Sequence, residues 1–159
     1  MMRRTFLTIL AAALAFLLAR GPVLAQRPGE TDEADLSGVY AKVNSLLQNL
    51  GAEPTAADKT LAKFVEGSPL ARDEKAIQDL AAKIKQFDAT YGRFVASERI
   101  ATKHIGDDVL ALRYLYKAEQ YPVVWYFTFY RPHGAAAADT RDWSLISLRF
   151  DTRVENAGM

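Results

Sequence analysis

Tyrosines and arginines in the second half of the chain have the types and spacing that suit ligand binding. Tyr126 and Tyr130 lie an even number of positions apart in an apolar run, and an extended strand places such residues on one face. An aromatic surface with a few polar groups is the usual composition of a small-molecule site, and an arginine can hold a carboxylate through two parallel hydrogen bonds. The candidate ligand-binding residues are Arg113, Tyr114, Tyr126, Tyr130 and Arg149.

The same residues also have a purely structural explanation, which stays open on the sequence alone. Tyrosines on strands are often half-buried with the hydroxyl in water, and arginine stems cover exposed sheet. Arg149 and Asp151 lie two positions apart, so each can pair with a neighbour across the sheet. Trp125 and Trp143 are expected in the core because indole is a large apolar body.

Residues that usually carry catalysis are scarce. The chain has two histidines, His104 near a predicted strand end and His133 in a Pro-His-Gly turn, and both are expected to face solvent. Zinc-hydrolase, serine-nucleophile, dinucleotide and P-loop motifs are absent from the sequence. We therefore assign no catalytic residue and expect neither a metal nor a cofactor. Glu98 and Glu119 are the strand acids that an enzyme could use, but both are expected to face solvent.

Composition favours one globular domain. The chain has 159 residues, of which 50% are hydrophobic, and 20 basic residues nearly balance 19 acidic ones. This balance argues against a disordered protein and against a strongly nucleic-acid-binding one. The absence of cysteine excludes disulfides, thiol catalysis and zinc–thiolate sites, so stability must come from a packed core.

The first 25 residues have the pattern of a cleaved signal peptide. Arg3 and Arg4 precede an apolar run over residues 6–19, and Val23 and Ala25 place a branched and a small residue before a cleavage site after Ala25. As a helix, this run reaches only about 21 Å, short of the ~30 Å membrane core, which argues against the alternative of a permanent anchor. We expect a periplasmic or secreted protein with no membrane association after cleavage. The arginine pair also resembles the twin-arginine export pattern.

Helical spacing dominates the first half of the predicted mature chain. Residues 26–35 are predicted to be a flexible leader, residues 36–151 a single α+β domain, and residues 152–159 a flexible tail. A first helix begins at Leu36, and a second is predicted from a capping box formed by Thr55 and Asp58. A third helix is predicted from Ser68-Pro69 to Gly92.

After Gly92 the hydrophobic period changes to two, which predicts strands. Strands are predicted over residues 94–104, 109–119, 123–130 and 143–151, with a turn at Gly106-Asp107-Asp108 and a loop over 132–142. Short connections imply an antiparallel meander, because parallel strands need long crossovers. Helices followed by strands indicate an α+β fold with the helices on one face of the sheet.

The strand half resembles small secreted bacterial proteins with a nuclear transport factor 2-like, or cystatin-like, fold. The resemblance lies in Tyr91-Gly92, Leu112-Arg113-Tyr114, PVVWYFTFYRP at 122–132 and WSLISLRFD at 143–151. It implies N-terminal helices packed on a curved four-stranded antiparallel sheet around a cone-shaped cavity. That superfamily includes ketosteroid isomerases, dehydratases, polyketide cyclases and non-catalytic binding modules. The isomerase general base and its oxyanion donors match no particular position of this chain.

Taken together, these features predict an exported, non-catalytic domain. Its expected partner is a small apolar or weakly anionic ligand, or a protein, bound in the cone-shaped cavity. One alternative is a cofactor-free isomerase or dehydratase, which requires a buried carboxylate facing a tyrosine. Another alternative is a structural module that forms a homodimer through the broad face of its sheet.

Overall fold

The computed structural model describes residues 36–131 and 143–155. Along the described chain, all of the α-helices come before the four strands. Two 3-10 turns, at Pro54–Ala56 and Pro69–Arg72, lie among the helices. The elements are α1 (Ser37–Ala52), α2 (Ala57–Val65), α3 (Glu74–Ile84), α4 (Phe87–Tyr91), β1 (Phe94–Ile105), β2 (Val109–Ala118), β3 (Val123–Tyr130) and β4 (Ser144–Asp151). The predicted signal peptide, the leader, the loop over 132–142 and residues 156–159 of the predicted tail lie outside the described residues.

The first helix forms where its spacing predicts it, and its apolar stripe faces the core. Val43, Leu47 and Leu50 are fully buried, as their steps of four and three require for one helix face. The capping box predicted for the second helix is wrong. The 3-10 turn at Pro54–Ala56 comes first, and Ala56 then precedes α2 without a side-chain cap.

The prediction of one continuous third helix is also wrong, because the predicted helix is interrupted twice. Asp73 starts α3 by accepting a hydrogen bond of 3.0 Å from the backbone N–H of Ala76. Ser68 does not cap a helix, since its hydroxyl donates to the carbonyl of Val65 at 2.6 Å. A turn at residues 85–86 then separates α3 from α4. Phe87, the first residue of α4, is 1% exposed and belongs to the core.

The four strands form an antiparallel meander in the order β1-β2-β3-β4, which confirms the predicted α+β architecture. Gly106 takes φ +64° in the predicted turn between β1 and β2, and Gly92 takes φ +84° where α4 gives way to β1. Both values lie in the left-handed region that glycine occupies without a steric cost.

The helices cover one face of the sheet, which we call the helix face, and the other we call the open face. On β3, the helix face carries Trp125, Phe127 and Phe129, all buried, whereas the alternate residues from Tyr126 onwards are half-buried. Trp143 is 7% exposed and also belongs to the core, so the predicted burial of both tryptophans is confirmed. Among the described residues, no helix is both long enough and apolar enough to cross a membrane.

Candidate functional site

Three of the candidate residues form a row across the open face. The register of the sheet places Arg113 of β2 opposite Tyr126 of β3, and places Tyr126 opposite Arg149 of β4. Directly opposed residues in an antiparallel pair project from the same face, so the three side chains are neighbours. Strand alternation puts each one on the open face, but only the register brings them together.

Both guanidinium groups of this row contact the Tyr126 ring. The guanidinium carbon of Arg149 lies 4.1 Å from the ring centroid, and that of Arg113 lies 5.7 Å from it. These distances fall within the range of about 6 Å over which a cation is attracted to an aromatic face. Tyr126 and Arg113 are half-buried and Arg149 is exposed.

A third arginine, Arg153, lies beside the row and is paired with a carboxylate. Its guanidinium donates to Asp151 at 3.1 Å, and its backbone N–H donates to the same carboxylate at 3.0 Å. These bonds hold the pKa of Asp151 below its usual range, and they raise the pKa of Arg153. Asp151 lies two positions after Arg149 in β4, so its side chain and the paired Arg153 lie on the same face as Arg149. We call Arg113, Tyr126, Arg149 and Arg153 the arginine–tyrosine patch.

The remaining two candidates lie elsewhere. Tyr130 shares the open face, opposite Val109 and Ser144, but it lies four residues from Tyr126, about 13 Å along the strand. Tyr114 projects from the helix face, opposite Trp125, and is fully buried. The structure therefore brings Arg113, Tyr126 and Arg149 together and separates Tyr114 from them by the thickness of the sheet.

The buried tyrosine hydroxyls have no hydrogen-bond partner within the described residues. This holds for Tyr114, for Tyr116 and for the indole N–H of Trp125. Burial raises the pKa of each tyrosine to about 12, because the phenolate is poorly solvated in the core. Neither hydroxyl is suited to transfer a proton near neutral pH.

Packed aromatic side chains occupy the interface between the helices and the sheet. Phe87 makes edge-to-face contacts with Tyr116 at 5.6 Å and with Trp125 at 6.1 Å between ring centroids. Phe127 contacts Tyr114 at 5.9 Å and Phe64 of α2 at 6.0 Å. These rings pack edge to face against one another between the helices and the sheet.

The acids that an isomerase or dehydratase would need are exposed and paired. Lys117 lies 2.5 Å from Glu98 and Arg93 lies 2.9 Å from Glu119, and these hydrogen bonds lower the pKa of both carboxyl groups. No carboxylate is buried in the part of the chain that the structure describes. The same stretches hold no cluster of three or more residues suited to bind a metal.

Sequence reasoning missed two features that involve long-range contacts. Arg153 belongs to the patch although its position falls in the predicted tail. The guanidinium of Arg99 stacks on the ring of Tyr40 at 3.6 Å, joining β1 to α1. The pairing of Arg99 with Tyr40 has no signal in the sequence, because the two residues are far apart along the chain.

Comparison with known proteins finds no matching family model, no matching curated protein and no matching solved structure. The chemistry of the site therefore follows from its own groups. A half-buried phenol surrounded by guanidinium groups on an open surface can bind a carboxylate by charge and by paired hydrogen bonds.

Proposed function

We propose that this protein is a non-catalytic binding domain that receives an acidic segment of a partner protein on the arginine–tyrosine patch. The observation that carries the proposal is the placement of Arg149 and Arg113 against Tyr126 on the face that the described helices leave uncovered. Arginine and tyrosine are enriched among the residues that dominate binding energy at protein interfaces.

Charge favours an acidic partner. Within the described residues Arg149 contacts the Tyr126 ring and forms no ion pair, whereas Arg153 is paired with Asp151. A carboxylate placed over the patch would add charge-assisted hydrogen bonds without displacing an existing salt bridge of Arg149. Lys103 lies on the same face, opposite Ala111, and extends the positive surface towards β1.

Shape favours a protein over a small molecule. Small-molecule sites are usually concave and bury most of the ligand, but the patch lies on the face of a sheet. Apolar neighbours on that face include the half-buried Leu115 and Val109, and Ile105 is 52% exposed at the end of β1. A mixed surface of this kind suits a protein interface with a polar rim.

The proposal also includes a place and a fold family. Residues 1–25 support export to the periplasm or the medium, and the sequence of the strand half supports a nuclear transport factor 2-like fold. The α+β architecture agrees with that family at the level of helices packed on a four-stranded antiparallel sheet. The proposed binding surface differs from the cavity that the resemblance implies.

Selection of displayed peptides tests the proposal. Random peptides are selected on the purified protein, and the enriched sequences are synthesised and titrated against it. We expect enrichment in Asp and Glu, with binding that weakens as salt is raised. Arg149→Gln and Tyr126→Ala should each weaken binding about tenfold, which corresponds to about 1.4 kcal/mol.

A matched control is Lys83→Gln, which removes an exposed charge from α3, away from the open face, and should change affinity less than about twofold. Peptides without acidic bias, or equal binding by Arg149→Gln, would overturn the proposal. Binding of glutarate as tight as that of the peptides would replace the protein partner with a small acid. Self-association that Arg149→Gln abolishes, with no peptide bound, would replace it with a second copy of this chain.

A further inference from the structure

A groove between α1 and α2 concentrates lysines over an apolar floor. It has a volume of about 330 Å³. Its lining comprises Lys42, Ser45, Leu46, Asn49, Lys59, Thr60, Lys63 and Phe64. The volume falls at the lower end of the range of about 300–1,000 Å³ that small-molecule sites occupy.

Helix geometry explains why these side chains share the groove. On α1, Lys42, Leu46 and Asn49 follow steps of four and three, so they lie on one face of the helix. On α2, Lys59 and Lys63 are four residues apart, so they lie about one helical turn apart on the same face. Packing of α1 against α2 then brings the two faces together.

The floor of the groove is apolar and buried. Leu46 is 3% exposed and Phe64 is 6% exposed, and both belong to the hydrophobic core. The ammonium group of Lys42 lies 5.2 Å from the centre of the Phe64 ring. The groove can therefore contact an apolar group at its base and an anion at its rim.

The rim is cationic and rich in hydrogen-bond donors. The described lining contains three lysines and no carboxylate, and none of these lysines forms an ion pair with a described residue. The nearest acid of α2, Asp58, is paired with Lys85, which follows α3, and lines a neighbouring depression. The hydroxyls of Ser45 and Thr60 add neutral donors.

We propose that this groove binds a phosphate monoester or diester that carries a small apolar group. Lysine binds phosphate as a point charge without needing the planar geometry of an arginine fork, and several lysines together match the charge of a phosphate. The groove lies on the helices and the arginine–tyrosine patch on the open face of the sheet, so this inference is independent of the proposed function.

Titration of the purified protein with phenyl phosphate tests the inference. Phenyl phosphate places a ring against Phe64 and a dianion among the lysines, and calorimetry should show saturable binding that weakens with salt. The double variant Lys42→Gln/Lys63→Gln should weaken it at least about tenfold. Lys83→Gln, which removes an exposed lysine of α3 outside the groove, should leave it unchanged.

A second variant separates shape from charge. Ser45→Trp introduces a large ring at an exposed position of α1 that lines the groove, and should also weaken binding of phenyl phosphate at least about tenfold while circular dichroism stays unchanged. No saturable binding of phenyl phosphate or of phosphatidylglycerol vesicles would overturn the inference. So would binding that neither variant affects.

Vesicles distinguish the two sources of the phosphate. Binding to phosphatidylglycerol vesicles but not to phosphatidylcholine vesicles, lost in Lys42→Gln/Lys63→Gln, would assign the groove to a lipid headgroup. Binding of phenyl phosphate without binding of either vesicle would assign it to a soluble organic phosphate. Peptides selected on the open face should still bind Lys42→Gln/Lys63→Gln, so the failure of either proposal can be recognised separately.

Discussion

The guanidinium group of Arg149 lies 4.1 Å from the centre of the Tyr126 ring, on the face of the sheet opposite the described helices. This contact joins β3 to β4 and leaves the edges of the guanidinium available for hydrogen bonds. It therefore stabilises the sheet slightly while Arg149 stays exposed.

A double-mutant cycle should measure the stabilising part of this contact. Tyr126→Leu and Arg149→Met each remove one partner, and a cation–π pair at an exposed site contributes about 0.5–1 kcal/mol to the free energy of unfolding. We expect a coupling energy in this range from urea denaturation of the wild type, both single variants and the double variant. Additive effects of the two substitutions would show that the contact contributes nothing to stability.

Removal of the buried Tyr116 hydroxyl should not destabilise the protein. Within the described residues that hydroxyl has no hydrogen-bond partner, and a buried unsatisfied group carries a desolvation penalty of about 1–3 kcal/mol. Tyr116→Phe keeps the ring contacts with Phe87 and Phe94, so the free energy of unfolding should stay constant or rise. Tyr121→Phe, at an exposed position, is the matched control. If Tyr116→Phe lowered the free energy of unfolding by more than about 1 kcal/mol, the Tyr116 hydroxyl would have a hydrogen-bond partner in the protein.

The protein should lose stability in alkaline solution. The pKa values of Tyr114 and Tyr116 rise from 10.0 to about 12 on folding, so the folded state holds these protons more tightly than the unfolded state. Their contribution to the free energy of unfolding is fully present below pH 10 and is lost as the pH rises to about 12. Each unit of pKa shift corresponds to about 1.4 kcal/mol of this free energy. Urea denaturation between pH 9 and 12 measures the slope. The double variant Tyr114→Phe/Tyr116→Phe should flatten it, and an unchanged slope would show that these two tyrosines do not cause the loss.

Gly51→Ala should destabilise the protein, although alanine normally favours a helix over glycine by about 1 kcal/mol. A Cβ at position 51 would lie 2.2 Å from the Phe94 ring, because α1 approaches β1 closely at this point. Overpacking of this kind costs about 1–3 kcal/mol. Phe94→Val in the Gly51→Ala background should recover part of the loss in thermal denaturation. A Tm of Gly51→Ala at or above the wild-type value would show that Phe94 moves aside freely.

Export should produce a chain that begins at Gln26. Val23 and Ala25 precede the predicted cleavage site after Ala25, so mass spectrometry of protein from a bacterial periplasm should find residues 26–159. Replacement of Arg3 and Arg4 by lysine should abolish export if the twin-arginine route is used. Unchanged secretion of that variant would assign the protein to the general route. Retention of residues 1–25 in the exported protein would contradict cleavage.

The sequence alone determined that helices precede four strands, because hydrophobic spacing is local. The change of period after Gly92 predicted four strands, and short connections predicted the meander that the structure has. The third helix was predicted too long because apolar spacing continues from Ile77 to Tyr91. Spacing cannot reveal that Asp73 begins a new helix or that the chain turns before Phe87.

Alternation along a strand also carried information about the site. Arg113 and Tyr114 are adjacent in β2, so they project from opposite faces, and the structure places them so. Only the tertiary structure decided that Arg113, Tyr126 and Arg149 align in one row, because cross-strand register depends on the packing of the whole sheet. The lysine groove likewise depends on α1 packing against α2, which brings Lys42 and Lys63 to one groove although they are distant in sequence.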